Sequence, residues 1–285
     1  MRRDALPAID VAPPWRAALA LGFARTPQGT RLVSLRHEGP LVVQRPLYPE
    51  GEGVCHAIVV HPPGGIAGGD EVALDVRVEA HAHAVLTTPG AGKLYKGAGR
   101  RARLRVGLHV AEHGVIEWLP QETIVFDAAF ASLGLDIALA PFARALAWDI
   151  VTLGREASGE RFASGTLVTS ITLRSGARDV LDERARVSGG AAWLDSPVGW
   201  RGARASGTLL AAGTPIDDDL VDACREAIAA WPSCAAVTRI DDDCLVGRYL
   251  GPSAVDARAA FASLRSVLRP HIAGCAARPL RIWST

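Results

Sequence analysis

Four polar segments carry the residue types that could do chemistry in this chain. Glu117-Trp118-Leu119-Pro120-Gln121-Glu122-Thr123 brackets a tryptophan and a proline with carboxylates at a strand exit. Trp148-Asp149, the Arg155–Glu160 stretch and Asp182-Glu183-Arg184 add acids after other strands. Carboxylates converging from several loops suit general acid–base work or the loose holding of a hard cation. His81-Ala82-His83 adds two imidazoles at a spacing that, on one strand face, could ligate a metal.

Several familiar sites fail on spacing. Gly92-Lys93 invites a phosphate-cradling P-loop, but position 87 is Thr where a Gly is needed, and Leu94 replaces the Ser or Thr that follows the lysine. Gly97-Ala98-Gly99-Arg100-Arg101-Ala102 has the letters of a dinucleotide fingerprint, yet it runs into an alternating strand and offers no helix N-terminus for a pyrophosphate. No G-x-S-x-G elbow occurs, and Cys55, Cys224, Cys234, Cys244 and Cys275 form no C-x-x-C pair. Two readings stay open beside that of a non-enzyme with ordered polar loops. One is a β-rich hydrolase with paired carboxylates at Glu122 and Glu160; the other is a metal-storage or sensing protein centred on His81 and His83.

The elements that must position these groups are mostly strands. Glu71-Val72-Ala73-Leu74-Asp75-Val76-Arg77-Val78 alternates strictly, and residues 101–110 repeat the device. Such alternation predicts half-buried strands of antiparallel sheets. Further strands are expected at 31–35, 57–61, 84–88, 115–119, 146–153, 165–173 and 208–211. Helices are expected only near the end, over about 219–231 behind Asp217-Asp218-Asp219, and over 254–269 between Ser253 and Pro270. A hairpin at Asp241-Asp242-Asp243 separates them. The fold class is therefore mainly β: a two-layered antiparallel body over 1–213, with a smaller α/β part over 214–285 packed on it as one domain.

Composition bounds the partners. The chain has 285 residues, 49% of them apolar, and a formal net charge of +1, which points to neither nucleic acid nor a membrane surface. Leftover unpaired cysteine suits a reducing compartment. The Met1-Arg2-Arg3-Asp4 start is interrupted too early by polar residues and prolines for a secretory signal, and no apolar run is long enough to span a bilayer. The expected location is the cytoplasm.

The most unusual segment is His61-Pro62-Pro63-Gly64-Gly65-Ile66-Ala67-Gly68-Gly69-Asp70. Its prolines and paired glycines demand a tightly specified turn that presents Asp70 at the start of a strand. With Thr87-Thr88-Pro89-Gly90-Ala91-Gly92-Lys93-Leu94-Tyr95, the Glu117–Phe126 run, Trp148-Asp149-Ile150-Val151 and Ser158-Gly159-Glu160-Arg161-Phe162, it resembles the urease accessory protein UreD (UreH) family over residues 61 to about 185. In that family Ala-Thr-Lys-Phe is common where this chain has Ala91-Gly92-Lys93-Leu94, and Glu where it has Asp149. The resemblance implies a non-enzymatic scaffold with a β-rich superhelical body. Its implied partners are apo-urease, UreF and, through UreF, the GTPase UreG. It further implies that GTP is bound by UreG, that nickel is cargo in transit, and that this chain holds no permanent cofactor. Mapped onto this sequence, the expected polar path for nickel comprises Asp70, Lys93, Tyr95, Glu122, Asp149 and Glu160. Pro62, Pro63, Gly64, Gly65, Gly68, Gly69, Trp118 and Pro120 are expected to shape it.

Overall fold

The structure is a computed structural model that describes residues 13–284. The first twelve residues, on which the leader reading falls, lie outside them. Seventeen strands and two α-helices follow. The first seven strands are β1 (Arg16–Thr26), β2 (Gly29–Glu38), β3 (Val42–Leu47), β4 (Cys55–Val60), β5 (Glu71–Val78), β6 (His83–Thr87) and β7 (Gly92–Leu94). Next come β8 (Ala102–Val110), β9 (Val115–Leu119), β10 (Thr123–Val125), β11 (Phe130–Leu139), β12 (Arg144–Leu153), β13 (Thr166–Ser175), β14 (Arg178–Ser188) and β15 (Ala205–Ala212). Helix α1 (Asp218–Ala227), the hairpin β16 (Ala235–Asp241) and β17 (Cys244–Gly251), and helix α2 (Ala254–Ala273) complete the chain.

The strands form two facing sheets. The first runs β14-β13-β11-β8-β5-β1-β2, and the second runs β16-β17-β15-β12-β9-β6-β4-β3, with β10 joining β12 to β7. The chain alternates between them in solenoid fashion, so β5, β8 and β11 stack in one layer while β6, β9 and β12 stack in the other. Stacked coils run in the same direction. The central pairings are accordingly parallel, as between β5 and β8, β8 and β11, and β9 and β12. The expected antiparallel pairing holds only towards the margins, as in β13–β14, β15–β17 and β16–β17. Alternation reports that one face of a strand is wet and says nothing of direction. Here the first sheet keeps a solvated outer face although its core is parallel, and cross-strand ion pairs occupy that face: Arg103–Glu71 at 2.9 Å and Arg105–Asp136 at 3.0 Å.

The second sheet is covered twice. Its inner face packs on the first sheet, with Ala147, Val151 and Leu210 in the shared core. Its outer face packs under α2 through Trp148, Leu209, Phe261, Leu264 and Leu268. Asp217 caps α1 by accepting from the Leu220 N–H at 2.8 Å, and Ser253 caps α2 by accepting from the Asp256 N–H at 3.2 Å. α1 is shorter than expected. Residues 228–231 tighten into turns, with the Trp231 N–H bonded to the Ile228 carbonyl at 2.9 Å. α2 is longer than expected, because Pro270 stands inside its last turn, where the missing N–H costs a single intrahelical bond. Gly274, left-handed at φ 69°, ends the helix instead, giving its N–H to the Pro270 carbonyl.

The two histidines of the His81-Ala82-His83 motif are not brought together. His81 lies on an exposed turn with φ 59°, its ring stacked 4.9 Å from that of His113, which in turn stacks on Phe142. His83 opens β6 and is buried against Glu117. The expected shared strand face fails because the left-handed residue at position 81 breaks the alternation before the strand begins.

Candidate functional site

Between the sheets lies a cavity of about 280 Å³. Leu74 of β5, Val106 of β8 and Leu133 of β11 form one wall. Val59, Trp118 and Asp149 face them from the second sheet. The loops carrying the two Gly/Pro-rich motifs form its rim, with His61, Gly64 and Gly65 on one side and residues 88–93 on the other. Three titratable side chains line it among the described residues: Asp149, Lys93 and His61.

Asp149 is placed by strand alternation. Trp148 turns to the helix side, where its indole N–H donates to the Pro120 carbonyl at 2.8 Å, so Asp149 must turn inwards. Aliphatic surroundings disfavour its charged form. Burial raises its carboxyl to about 6 against a modest opposing pull from the Ile150 N–H. Burial likewise lowers the pKa of His61, partly offset by the charge of Asp70. With a value of about 6, the Asp149 carboxyl is mostly ionised near neutral pH and becomes protonated in mildly acidic solution.

The rim is fixed by close packing. A Cβ on Gly65 would lie 2.4 Å from the Tyr95 ring, and one on Gly68 would lie 2.0 Å from the Gly97 carbonyl oxygen. Pro62 and Pro63 fill the middle of a turn closed by the Gly64 N–H on the His61 carbonyl at 2.9 Å. Ile66 then bridges to Leu94, its N–H on the Lys93 carbonyl at 2.8 Å. Asp70 clasps this loop, one carboxylate oxygen accepting from the Trp15 N–H and the other from the Ala67 N–H, both at 2.9 Å. These bonds hold the loop, and Asp70 is not among the cavity-lining residues.

The other expected path residues divide in the same way. Lys93 lines the cavity; Tyr95 packs on Gly65 and edge-on against Phe126 at 5.1 Å. Glu122 sits behind the rim, accepting from Arg258 of α2 at 2.8 Å, while its neighbour Gln121 lines the cavity and bonds the same guanidinium. Glu160 accepts from Arg155 at 2.7 Å and from the Asp127 N–H at 3.1 Å. Arg155, stacked over Phe126, holds the Glu160 carboxyl below its usual range. Glu122 and Glu160 are therefore each neutralised by a separate arginine. Nothing in this arrangement aligns them as a paired acid and base.

Sequence reasoning missed a second polar centre on the opposite face of the same sheet. Glu117 is wholly buried and accepts from His83 at 2.9 Å, Arg265 at 3.0 and 3.1 Å, and Arg269 at 2.8 Å. Arg269 continues to Glu50, which also bonds His56 at 2.8 Å. Burial pushes both carboxyls up, but the imidazole hydrogen bonds and guanidinium charges outweigh it and hold each at about 2. This network fastens α2 to the sheet. Its sequence signal was a charge amid the apolar run at 115–119 and two arginines four apart on an otherwise apolar helix face. Among the described residues no three His, Cys, Asp or Glu side chains are grouped to hold a metal ion, and no helix is long and apolar enough to cross a membrane.

Comparison with known proteins places this architecture. The family model described as UreD urease accessory protein matches residues 16–284. A urease accessory protein UreD from Azoarcus sp. (strain BH72) is 47% identical over 273 residues, covering 96% of this chain and 95% of that protein. One from Pseudomonas aeruginosa (strain PAO1) is 47% identical over 284 residues, covering 99% of both. One from Dechloromonas aromatica (strain RCB) is 46% identical over 277 residues, covering 96% of both. A match that spans both sheets and both helices makes this chain a member of the UreD family of urease accessory proteins, with a role in urease maturation.

Proposed function

We propose that the chain is a cytoplasmic, non-catalytic scaffold that binds apo-urease, UreF and, through UreF, the GTPase UreG, and that it passes nickel through the inter-sheet cavity during GTP-dependent insertion into urease. It holds no permanent cofactor. Nickel is cargo, and GTP belongs to UreG. The observation that carries this reading is the single carboxyl, Asp149, facing the otherwise largely aliphatic space between the sheets. A dication leaving bulk water needs a compensating charge, and a lone carboxylate completed by water holds it without the closure of a His/Cys cage, so release stays easy. Lys93 and His61, the other titratable groups there, bind less competitively: a protonated lysine repels the cation, and His61 sits at the rim.

Co-purification with UreF and apo-urease tests the scaffold, and deletion of the gene tests the outcome. Urease protein should persist but be nickel-poor and inactive; full activity in the deletion strain would refute the reading. The conduit has its own test in the pH dependence of nickel loading. Below about pH 6 Asp149 is protonated, so loading by the reconstituted complex should fall roughly tenfold per pH unit as far as this step limits it. Asp149→Asn should load poorly at every pH and lose that dependence. A variant with the parent's rate and profile refutes passage past Asp149.

A further inference from the structure

We infer that the loop between β14 and β15, residues 189–204, is a preformed anchor for apo-urease, with Val198 as an apolar knob that enters a socket rimmed by carboxylates on that partner. This rests on the scaffold reading above and adds to it a surface and a mode of contact.

The loop is long for a connection between strands, yet its own backbone ties it down. The Trp200 N–H bonds the Trp193 carbonyl at 3.1 Å, the Arg201 N–H bonds the Ser196 carbonyl at 3.1 Å, and the Gly202 N–H bonds the Leu194 carbonyl at 2.8 Å. Trp200 is buried in the inter-sheet core and meets the Trp193 ring edge-on at 6.1 Å. Contacts outside the loop brace it further. The Gly190 N–H bonds the Phe162 carbonyl at 3.0 Å, and the Arg201 side chain donates to the Ser233 carbonyl at 2.9 Å. A Cβ on Gly199 would lie 1.9 Å from the Trp193 carbonyl oxygen, so the chain doubles back here only because that position is glycine.

What this framework holds outwards is apolar. Val198 is 98% exposed, more than any other large hydrophobic residue described, and it follows the exposed Pro197. Trp193, 39% exposed, continues the patch, because its ring lies 3.2 Å from the same Cβ position on Gly199. A single exposed valine is ordinary. A valine and a tryptophan presented on a loop whose conformation is already fixed are not, since they can bind without the ordering cost that weakens flexible contacts. Tryptophan and arginine are also the side chains that most often dominate binding at protein interfaces.

Charge specifies the socket. Arg201 and Arg204 in the loop, Arg161 on the segment it leans against and Arg186 near the end of β14 have no carboxylate in ion-pair contact among the described residues. Asp195 is the one carboxylate on the loop itself. A basic surround about an apolar knob fits an apolar socket with an acidic rim. The family's role in urease maturation makes urease the partner that must meet this chain. A knob of this size anchors a wider contact, since a stable interface buries about 800 Å² on each side.

The test immobilises apo-urease and titrates the full chain co-expressed with UreF, with retention of UreF and melting temperature as controls on folding. Val198→Glu sets a carboxylate against the acidic rim and should weaken binding roughly thirtyfold or more. Arg161→Gln combined with Arg186→Gln should weaken it about fivefold and flatten its dependence on salt. Both variants should keep UreF and the parent's melting temperature. If the parent binds apo-urease and Val198→Glu binds it equally well, the surface is wrong and the scaffold stands. Loss of UreF with urease binding kept assigns the loop to UreF, and a change confined to self-association assigns it to a second copy; either overturns the inference. So does loss of both partners with a lower melting temperature in both variants, which marks a purely structural loop. If the parent complex itself does not bind apo-urease, the scaffold reading falls and this surface with it.

Discussion

Replacing Glu117 by Gln is the sharpest test of what holds α2 on the sheet. The substitution keeps shape and one acceptor oxygen but puts an NH2 group among donors. Glu117 accepts four hydrogen bonds, from His83, twice from Arg265 and from Arg269. In the variant at least one donor meets a donor, and Arg265, only 5% exposed, loses its sole carboxylate partner. Arg269 keeps Glu50. Breaking one side of a buried pair costs about 3–5 kcal/mol, a large share of the 5–15 kcal/mol typical of folded proteins. Linkage gives an independent figure. A carboxyl held at about 2 in the fold against 4.5 when unfolded contributes roughly 3 kcal/mol. Its folded pKa is depressed, so this stability is fully present above about pH 4.5 and is lost as pH falls towards 2. Calorimetry of parent and variant should show a melting deficit of roughly 6–15 °C near neutral pH. The deficit should shrink steadily below about pH 4.5, because protonated Glu117 resembles Gln. A deficit under about 2 °C, or one that does not change with pH, would refute the argument.

Two further outcomes follow from packing and burial. Gly68→Ala places a methyl 2.0 Å from the Gly97 carbonyl oxygen, so it should displace the His61–Asp70 loop, cost about 1–3 kcal/mol, and expose the loop to limited proteolysis. Burial pushes the thiols of Cys224 and Cys244 up to about 11 and 12, so both should resist alkylation at mildly alkaline pH until the protein unfolds, as mass spectrometry of the labelled peptides would show.

Local features were legible where one residue decides them. Asp217 and Ser253 cap helices as their positions required, and β9 and the β16–β17 hairpin fall where the apolar run at 115–119 and the acidic turn put them. Strand direction was not legible. Coils repeat with register offsets of 32, 29 and 36 residues, from Glu71 beside Arg103, Arg103 beside Ser132, and Ser132 beside Val168, so no fixed period marks the solenoid. β11 was hidden within an apolar stretch, because its outward positions are small or weakly polar, such as Ser132, Gly134 and Ala138. Of the path residues inferred by family resemblance, Lys93 and Asp149 reach the cavity, whereas Asp70, Tyr95, Glu122 and Glu160 brace the loops around it. A motif shows which residues belong together. Whether a carboxylate points into a space or into its own loop depends on contacts that lie far apart in sequence, such as Glu122 with Arg258.

The two polar centres are separated by a single layer of strands, and alternation ties them together. On β9, Glu117 faces α2 and Trp118 faces the cavity; on β12, Trp148 faces α2 and Asp149 faces the cavity. A one-residue slip of either strand would exchange the partners, sending a charge into the aliphatic wall and a tryptophan against the arginines. The buried network therefore does more than anchor a helix. By making any other register of β9 cost several kcal/mol, it fixes which face carries the cavity, and Arg258 extends that control to the rim through Gln121 and Glu122. Loosening α2 should thus blur the cavity before it unfolds the sheets, since the aliphatic inter-sheet core can hold the layers together without it.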